Sequence, residues 1–362
     1  MRIAFFIPDL RGGGAERVCL LLAREFLAKG HDVDLVLLRK QGMLLDQLPA
    51  EARVFDLRAS RVRKGFLPLV RYLKSEQPDA LLASMWPLTT LSVVAARAAL
   101  YTGKVVVSEH SALSCSPQNA GLSGMALRAS MRWVHAHADG VIGVSKGVVK
   151  DLHGLGLPAK SGLVIHNPVA ISDEMTIPDS WASHPWVNAP KSQRLLAVGS
   201  IKPAKDYPTL LRGIKKVVDS GKDVSLLILG VGPLQNQLEM QCREMGIAEH
   251  VHFGGFVNSP GPFYRAAGLF ILSSAWEGFG NVIVEAMAAG TPVVSTDCRS
   301  GPAEILEYGR YGRLVPVADV AALANAIIGS LEATHNAEAL KARAAEFTPE
   351  KIAQKYLDIL SA

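Results

Sequence analysis

The chain has 362 residues, of which 49% are hydrophobic and 20% charged, and its net charge is +5. At roughly 150 residues per domain, this length predicts two domains with buried cores and excludes a disordered chain. Its four cysteines show no Cys-x-x-Cys spacing, which excludes a disulfide scaffold and a zinc or redox motif of that type. The longest charge-free apolar stretch, 80–96, is interrupted by polar residues and is shorter than the roughly 20 residues of a membrane-spanning helix. We therefore expect a soluble, intracellular protein.

Short runs rich in Val, Ile and Leu alternate with longer segments of helical period, a pattern typical of βαβ units with parallel sheets. The strands predicted in the first half are 3–7, 33–38, 80–83, 105–108, 140–144 and 162–166. The first crossover helix is predicted over 15–29 and ends at Gly30. The strands predicted in the second half are 194–198, 224–230, 251–253, 269–274, 292–296 and 314–317.

A proline-rich polar stretch without apolar period separates the two alternations, which indicates an interdomain linker. The predicted boundaries are 1–178 for an N-terminal Rossmann-like domain, 179–192 for the linker and 193–347 for a C-terminal Rossmann-like domain. Residues 348–362 are predicted to form a last helix that returns to the N-terminal domain, because Thr348-Pro349-Glu350 is a helix-start pattern.

The excess positive charge lies in the first half. Residues 1–188 carry 21 Lys and Arg against 16 Asp and Glu, whereas residues 189–362 carry 17 of each. The densest basic segment, 57–75, has no acidic residue and a helical stripe of apolar side chains, which predicts contact with an anionic membrane surface. An ordinary amphipathic helix packed on its own sheet is the alternative. Nucleic acid is not expected, since basic and aromatic residues do not interleave. The candidate acceptor or membrane residues are Arg61, Arg63, Lys64, Arg71, Lys74, Arg128 and Arg132.

Two loops of the first half are candidate ligand sites because each follows a predicted strand, where ligands bind in open α/β sheets. The first is Gly12-Gly13-Gly14, whose backbone amides could approach an anion. It lacks the third glycine of a dinucleotide fingerprint, and Arg39 and Lys40 end the next strand where a ribose-binding acid is expected. An NADP site and a simple tight turn both stay open. The second is the loop at His110, for which catalysis, sugar contact and a structural role stay open.

The second half contains the more informative segments. Lys202 and Lys205 follow the strand 194–198, and such lysines suit a departing diphosphate, although two solvated lysines are the alternative. Further on, Glu277 precedes a Gly-x-Gly that opens a helix, and Glu285 lies inside that helix. Helix-start amides bind phosphate, and carboxylates accept hydrogen bonds from hydroxyls. A nucleotide sugar carries both groups.

The sequence resembles glycosyltransferase family 4, whose architecture is called GT-B. The resemblance implies an α/β fold of two facing Rossmann-like domains with parallel sheets and an interdomain cleft. Its most specific part is the segment with Glu277 and Glu285, followed by Thr291-Pro292-Val293-Val294. The stretch 300–306 further resembles bacterial polysaccharide and lipid-linked oligosaccharide transferases. The other matching motifs are 12–16, 108–110, 143–146, 165–168, the loop at Lys205, and 254–256.

The resemblance assigns candidate roles to residues of this chain. His110, Glu277 and Lys205 would be catalytic, through contacts with the transferred sugar and the diphosphate. The arginine usual in the family after the glycine of the lysine loop is here Ser200, and Lys202 is expected to supply the missing charge. The donor-binding residues implied are Gly13, Gly14, Ser200, Lys202, Lys205, Val257, Glu277, Gly278, Phe279, Gly280, Asn281 and Glu285.

The reaction implied is transfer of a hexose or N-acetylhexosamine, with retention of anomeric configuration, from a nucleotide sugar to a glycan or polyprenyl-linked glycan. We expect a UDP-sugar donor. The acceptor would attack from the face that the diphosphate leaves, and a diphosphate oxygen would help to remove its proton. That mechanism needs charge stabilisation and a dry site rather than a strong base, so no metal or other cofactor is expected.

Three further expectations concern metal binding, competing functions and cellular location. Asp32-Val33-Asp34 matches the Asp-x-Asp pattern of metal sites but precedes its strand, so solvated acids are expected there instead. The competing functions are an NADP-dependent oxidoreductase and a non-catalytic sugar-nucleotide binder, for which Ser200 would be an early sign of lost activity. The expected location is the cytoplasm, with peripheral attachment to the inner membrane face.

Overall fold

Two parallel sheets organise the chain, one in each of two units. The computed structural model describes residues 1–115, 121–170 and 174–361. Unit 1 comprises Met1–Val169 with Phe347–Ala362, and unit 2 comprises Ala170–Glu346. The α/β class with two Rossmann-like sheets is therefore correct.

Unit 1 contains a seven-stranded sheet in the order β3-β2-β1-β4-β5-β6-β7, in which every pairing is parallel. Its strands are β1 (Arg2–Ile7), β2 (Asp32–Leu37), β3 (Arg53–Asp56), β4 (Ala80–Ser84), β5 (Lys104–Glu109), β6 (Gly140–Gly143) and β7 (Leu163–Val164). Its helices are α1 (Gly14–Ala28), α2 (Phe66–Glu76), α3 (Leu88–Ala99), α4 (Gly121–His137), α5 (Lys146–Gly154) and α14 (Pro349–Ser361). The central strands are apolar and buried because helices cover both faces of a parallel sheet.

The strand β3 was missing from the predicted elements. It lies at the sheet edge and is only partly buried, so its four residues lack the continuous apolar run that marks the central strands. Its Arg53 donates two hydrogen bonds to Asp34 of β2, at 2.8 and 2.7 Å. A tertiary ion pair, rather than an apolar pattern, therefore ties this edge strand to its neighbour.

Unit 2 contains a six-stranded parallel sheet in the order β10-β9-β8-β11-β12-β13. Its strands are β8 (Arg194–Val198), β9 (Ser225–Leu229), β10 (Val251–Gly255), β11 (Leu269–Leu272), β12 (Val293–Thr296) and β13 (Arg313–Val315). Its helices are α6 (Pro185–Asn188), α7 (Tyr207–Asp219), α8 (Gln235–Glu244), α9 (Gly261–Ala266), α10 (Asn281–Ala288), α11 (Pro302–Ile305), α12 (Val320–Leu331) and α13 (Ala337–Ala344). Aliphatic side chains of these strands and of α7 and α12 form its core.

Residues 179–192, predicted as a linker, are packed on unit 2. The side chain of Trp186 is fully buried, and its indole N–H donates to the carbonyl of Leu195 at 2.8 Å. Arg194 donates to the carbonyls of Val187 and Ala189, at 2.6 and 2.7 Å. The sequence did not predict this packing, because a single buried tryptophan in a proline-rich segment produces no periodic apolar pattern. The predicted N-terminal domain, 1–178, includes 116–120 and 171–173, which lie outside the described residues.

Helix α14 packs on α1 within unit 1. Its buried residues recur every three or four positions and join the cluster formed by the buried face of α1. The backbone N–H of Val169 donates to the carbonyl of Phe347 at 2.8 Å, just before α14 begins. The end of the chain is therefore part of the core of unit 1.

Replacing Trp186 with alanine should lower the free energy of unfolding by about 3–5 kcal/mol, because the change removes a buried aromatic side chain and leaves a cavity. Urea denaturation of the full chain, followed by far-ultraviolet circular dichroism, measures the loss. Ser192→Ala, at an exposed position of the same segment, should change stability by less than about 0.5 kcal/mol. Equal stability of Trp186→Ala and wild type would contradict the packing role of this segment.

Candidate active site

Three loops of unit 2 meet at one edge of its sheet. Strand β8 pairs with β9 on one side and with β11 on the other, all in parallel. The residues that follow these strands therefore share the carboxyl edge, where open α/β sheets bind ligands. The loops are 199–205 after β8, 230–234 after β9 and 273–280 after β11.

The first two of these loops touch through their backbones. Gly199 and Gly230 both have positive φ, 153° and 147°. A side chain at Gly230 would collide with the carbonyl of Gly199. Ile201 donates its N–H to the carbonyl of Val231 at 3.0 Å. Glycine is required here because the two chains approach more closely than any Cβ allows.

Lys205 and Glu277 form an ion pair at this edge, with Nζ donating to Oε1 at 2.5 Å. Both side chains are 14% exposed, so the pair is mostly shielded but reachable from solvent. Lys205 ends a short 3₁₀ turn, Pro203–Lys205, and Asp206 then caps α7. The fold thus brings a cation and a carboxylate from loops far apart in sequence into direct contact.

Two serines that the sequence interpretation missed hold this pair. Ser274 donates its hydroxyl to Glu277 Oε1 at 2.6 Å. Ser273 donates to the carbonyl of Lys205 at 2.7 Å, and Ala275 donates its N–H to the carbonyl of Ala204 at 2.8 Å. These bonds fix the lysine loop to the glutamate loop. The adjacent pair of hydroxyl residues at the end of β11 was the only sequence signal for them.

The charge of Glu277 affects two buried groups nearby. Burial, with the Glu277 carboxylate second, raises the pKa of the Tyr207 hydroxyl. Burial, again with Glu277 second, raises the pKa of the Cys298 thiol to about 12. Cys298 is therefore a neutral thiol close to the ion pair. Chemically, this ion pair offers an ammonium for an anion and a carboxylate for hydroxyl groups.

The segment 278–281 leads from Glu277 into α10. Gly280 adopts φ 104° and precedes Asn281, the first residue of the helix. Phe279 is buried, and its carbonyl lies so close to Gly301 that a Cβ at Gly301 would overlap it. The loop after β12 therefore packs against Phe279 and Gly280, which restrains the start of α10.

Glu285 lies in the interior of α10, half-buried, and Tyr264 donates its hydroxyl to Glu285 Oε2 at 2.8 Å. Tyr264 is itself buried in α9, and its carbonyl accepts a hydrogen bond from Thr291 at 2.6 Å. Sequence reasoning did not find Tyr264 because its partner is 21 positions away and no motif includes it.

The other predicted donor residues of unit 2 occupy the same edge with different exposure. Ser200 and Lys202 are exposed on the loop after β8. Val257 is half-buried and follows β10, the strand beside β9. The carbonyl of Gly255 accepts from the N–H of Gly230 at 2.7 Å, which joins the loops after β9 and β10.

In unit 1, the glycine loop leads directly into a helix. Gly14 is the first residue of α1, and Gly13 is its N-cap. A Cβ at Gly13 would collide with the carboxylate of Glu16, the third residue of α1. Gly12 has φ 108° and lies beside the side chain of Met43. The positive φ accounts for glycine at position 12 only, and the helix start is compatible with an anion.

His110 follows β5 on the carboxyl edge of the same sheet. Its Nε2 lies 3.3 Å from the hydroxyl of Ser108, and its Nδ1 is buried without a hydrogen-bond partner among the described residues. Burial lowers the pKa of His110 to about 4, so the imidazole is neutral at neutral pH. A neutral imidazole is a hydrogen-bonding group rather than a cation there.

Glu109, next to His110, is fully buried. Its carboxylate accepts from Thr89 at 2.8 Å and from the backbone N–H of Trp86 at 3.0 Å, so it connects the loop after β4 to the end of β5. Burial raises its pKa to about 7, against the opposing effect of these hydrogen bonds, and the charge of Asp151 adds to the rise.

The two acids Asp32 and Asp34 do not both match the expectation of solvated residues. Asp32 is exposed, but Asp34 is fully buried in β2. Its carboxylate accepts hydrogen bonds from Arg53 and, at 2.6 Å, from Tyr72. The expectation was wrong for Asp34 because the edge strand that carries Arg53 was not predicted.

The predicted acceptor or membrane residues all lie on the surface of unit 1, but the apolar stripe between them is mostly buried. In α2, Leu69 and Leu73 pack inward, whereas Leu67 is 61% exposed. In α4, Met131 is buried and Met125 is 66% exposed. Helix α3 contacts both α2 and α4. Among the described residues, no helix is both long enough and apolar enough to cross a bilayer. The exposed basic residues are Arg61, Arg63, Lys64, Arg71, Lys74, Arg128 and Arg132.

Comparison with known proteins places both units in one class. Residues 12–173 match the family model described as Glycosyltransferase Family 4, and residues 192–333 match the model described as Glycosyl transferases group 1. An uncharacterized glycosyltransferase of Methanocaldococcus jannaschii is 33% identical over 130 residues, about a third (32%) of either chain.

Two further proteins are similar over nearly the whole chain. One is the N-acetylgalactosamine-N,N'-diacetylbacillosaminyl-diphospho-undecaprenol 4-alpha-N-acetylgalactosaminyltransferase of Campylobacter jejuni, 25% identical over 99% of both chains. The other is the crystal structure of Anabaena HepE in complex with UDP and glucose, with a TM-score of 0.83, 24% identity, and coverage of 100% of this chain and 99% of that one. The structural likeness identifies the fold as GT-B.

The raised pKa of Glu109 predicts a pH-dependent stability. Because its pKa is higher in the folded than in the unfolded chain, its contribution is full below about pH 4.5 and is lost as pH rises through about 7. The free energy of unfolding of wild type, relative to Glu109→Gln, should therefore fall between about pH 5 and pH 8. Urea titrations at several pH values measure this difference.

Glu51→Gln, at an exposed carboxylate of the same unit, is the matched control and should follow the wild-type curve. Glutamine at 109 cannot accept both hydrogen bonds, which adds a penalty that does not vary with pH. Parallel curves for wild type and Glu109→Gln would contradict a raised pKa for this carboxyl group.

Proposed function

We propose that this chain, whose two halves match models described as Glycosyltransferase Family 4 and Glycosyl transferases group 1, transfers a hexose or N-acetylhexosamine from a UDP-sugar, with retention of anomeric configuration, to a glycan or lipid-linked glycan. The observation that carries the proposal is the ion pair of Lys205 with Glu277 at the carboxyl edge of the unit 2 sheet. An oxidoreductase is not favoured, because both matched family models describe glycosyltransferases.

Lys205 is suited to stabilise a departing diphosphate. Its ammonium is mostly shielded from water, and an ammonium in such a place interacts more strongly with phosphate charge than one in bulk solvent. Without a donor, Glu277 neutralises it. When a diphosphate binds Lys205, Glu277 becomes available to accept hydrogen bonds from sugar hydroxyls, while Ser274 holds its carboxylate in place.

The remaining donor contacts follow from the elements around this pair. The amides of 278–280 and Asn281 at the start of α10 suit the sugar-phosphate group. Glu285, oriented by Tyr264, suits the two ribose hydroxyls, and the backbone near Val257 suits the base. Ser200 carries no charge, so Lys202, exposed on the same loop, is proposed to supply the second cation. From unit 1, we propose that Gly13, Gly14 and His110 contact the donor.

Retention without a strong protein base is consistent with the groups at hand. His110 is neutral, and Glu277 is paired with a lysine, so neither is a poised general base. We propose that the diphosphate itself removes the acceptor proton and that no divalent metal takes part. The Asp-x-Asp pattern does not supply a metal site, since the carboxylate of Asp34 is held by Arg53 and Tyr72.

The acceptor is proposed from the Campylobacter relative, whose name describes a saccharide on diphospho-undecaprenol. A lipid-linked acceptor would bring the enzyme to a membrane surface. The basic residues of α2, of the segment just before it and of α4, with Leu67 and Met125 exposed beside them, suit anionic lipid headgroups. We therefore propose a cytoplasmic enzyme that attaches peripherally to the inner membrane face.

Lys205→Met and Glu277→Gln should each lower kcat/KM for UDP-sugar by about 10²-fold or more, because each removes transition-state charge stabilisation or sugar orientation. Transfer to a lipid-linked acceptor, measured with a panel of UDP-sugars, provides the assay. Lys222→Met is the matched control, since Lys222 also pairs with a glutamate, Glu332 at 2.6 Å, but precedes β9 at the opposite edge.

Wild-type rates in Lys205→Met or Glu277→Gln would remove these assignments. The same assay with a chelator tests the proposed lack of a metal requirement, and complete loss of activity would overturn it. Binding of NADPH, without binding of any nucleotide sugar, would reverse the choice between the two enzyme classes.

Replacing Arg61, Arg63 and Lys64 together by glutamine should weaken binding to vesicles that contain anionic lipid, because each basic residue near such a surface contributes about 1 kcal/mol. Vesicle flotation with and without anionic lipid measures the effect. Glutamine at Lys191, Lys216 and Lys222 of unit 2 is the charge-matched control. If wild type floats equally with neutral vesicles, or if the control triple loses as much binding, the proposed surface is wrong.

A further inference from the structure

A chain of polar groups connects the last helix of unit 1 to His110. The hydroxyl of Tyr356 in α14 lies 3.4 Å from the hydroxyl of Ser108 in β5. The same Ser108 hydroxyl lies 3.3 Å from Nε2 of His110. Tyr356 and Ser108 are both buried, so these groups are the hydrogen-bonding partners that the fold offers to one another.

Packing alone does not explain a tyrosine at position 356. Its neighbours on the buried face of α14, Ile352, Ala353 and Leu357, are apolar and pack against α1. A phenylalanine would fill the same space without a polar group to bury. The hydroxyl of Tyr356 has Ser108 as its partner, and a buried hydroxyl without a partner would be costly. The tyrosine is therefore matched to Ser108.

The hydrogen bonds from Tyr356 through Ser108 to His110 have a favoured direction of donation. Burial raises the pKa of Tyr356 and lowers that of His110, so both are neutral at neutral pH. In one direction, Tyr356 donates to Ser108 and Ser108 donates to Nε2 of His110. The imidazole proton then lies on Nδ1. In the reverse direction, Nε2–H donates to Ser108 and Ser108 to Tyr356, which leaves the phenol proton and a bare Nδ1 both unsatisfied. The first direction leaves fewer buried groups unsatisfied and is favoured.

We propose that Tyr356 and Ser108 are positioning residues that hold His110 in the tautomer with its proton on Nδ1. This inference rests on the proposed function, in which His110 contacts the transferred sugar. Nδ1 of His110 is buried without a hydrogen-bond partner among the described residues, and in this tautomer it presents a hydrogen-bond donor. The group that satisfies it is an oxygen acceptor of the substrate, such as a sugar hydroxyl. Helix α14 thereby orients a residue that directly follows β5 and is far from the helix in sequence.

The tautomer is measured directly by nitrogen-15 nuclear magnetic resonance of His110 in the full chain at pH 7.5, without substrate. Wild type should show the proton on Nδ1 and a bare Nε2. Ser108→Ala should abolish this preference, because it removes the donor to Nε2, and Tyr356→Phe should weaken it. A wild-type imidazole protonated on Nε2, or a tautomer unchanged in Ser108→Ala, would overturn the proposal whatever the enzyme's activity.

Kinetics test the consequence for the reaction. Tyr356→Phe should lower kcat about 3- to 10-fold, the effect of losing one neutral hydrogen bond, with a smaller change in KM for the donor. Tyr101→Phe is the matched control, since it removes a partly buried tyrosine hydrogen bond of unit 1, to the carbonyl of Pro78 at 2.6 Å, away from His110.

The two proposals fail in different ways. A wild type without transferase activity on any nucleotide sugar would overturn the proposed function. An active wild type with equal kcat for Tyr356→Phe, Tyr101→Phe and the unmodified chain would leave the function standing and overturn the role of Tyr356. Thermal denaturation of each variant separates loss of folding from loss of positioning.

Discussion

The ion pair of Lys205 with Glu277 joins residues that are 72 positions apart, and the carboxyl edge of unit 2 is built around it. Such a pair forms only if the loops after β8 and β11 place their side chains at the same level above the carboxyl edge of the sheet. Parallel pairing of those strands sets that level, and backbone contact between Gly199 and Gly230 joins the loop after β8 to the loop after β9. A lysine this shielded needs a counter-charge, because an unpaired buried cation is costly. Glu277 provides that charge in the absence of a ligand.

Motifs next to strand ends could be predicted from the sequence because their position depends only on local order. In unit 2, the loops that carry Lys205 and Glu277 directly follow predicted strands, and parallel pairing brings such loops to one edge of the sheet. Their partners could not be predicted in this way. Tyr264 and Ser274 act through contacts that the tertiary fold selects, and one-dimensional periodicity does not contain that information.

The differences between expectation and structure have the same origin. Asp34 was expected in water, but Arg53 on an unpredicted edge strand and Tyr72 on α2 bury it. Residues 179–192 were expected to be a linker, but Trp186 anchors them to unit 2. In both cases the contacts of one polar or aromatic side chain determine whether the segment is buried. Hydrophobicity averaged over a sequence window does not detect the effect of a single residue.

The electrostatic character of the candidate groups differs between the units in a way that suits the proposed chemistry. A leaving diphosphate needs a cation, and unit 2 supplies Lys205 at a shielded position. A sugar needs neutral hydrogen-bonding partners, and unit 1 supplies His110, which burial keeps uncharged. A sugar hydroxyl does not require a positive charge, and a neutral imidazole offers it one donor and one acceptor nitrogen. The polar chain from Tyr356 then matters because a neutral imidazole has two tautomers, and only one of them offers a donor at Nδ1.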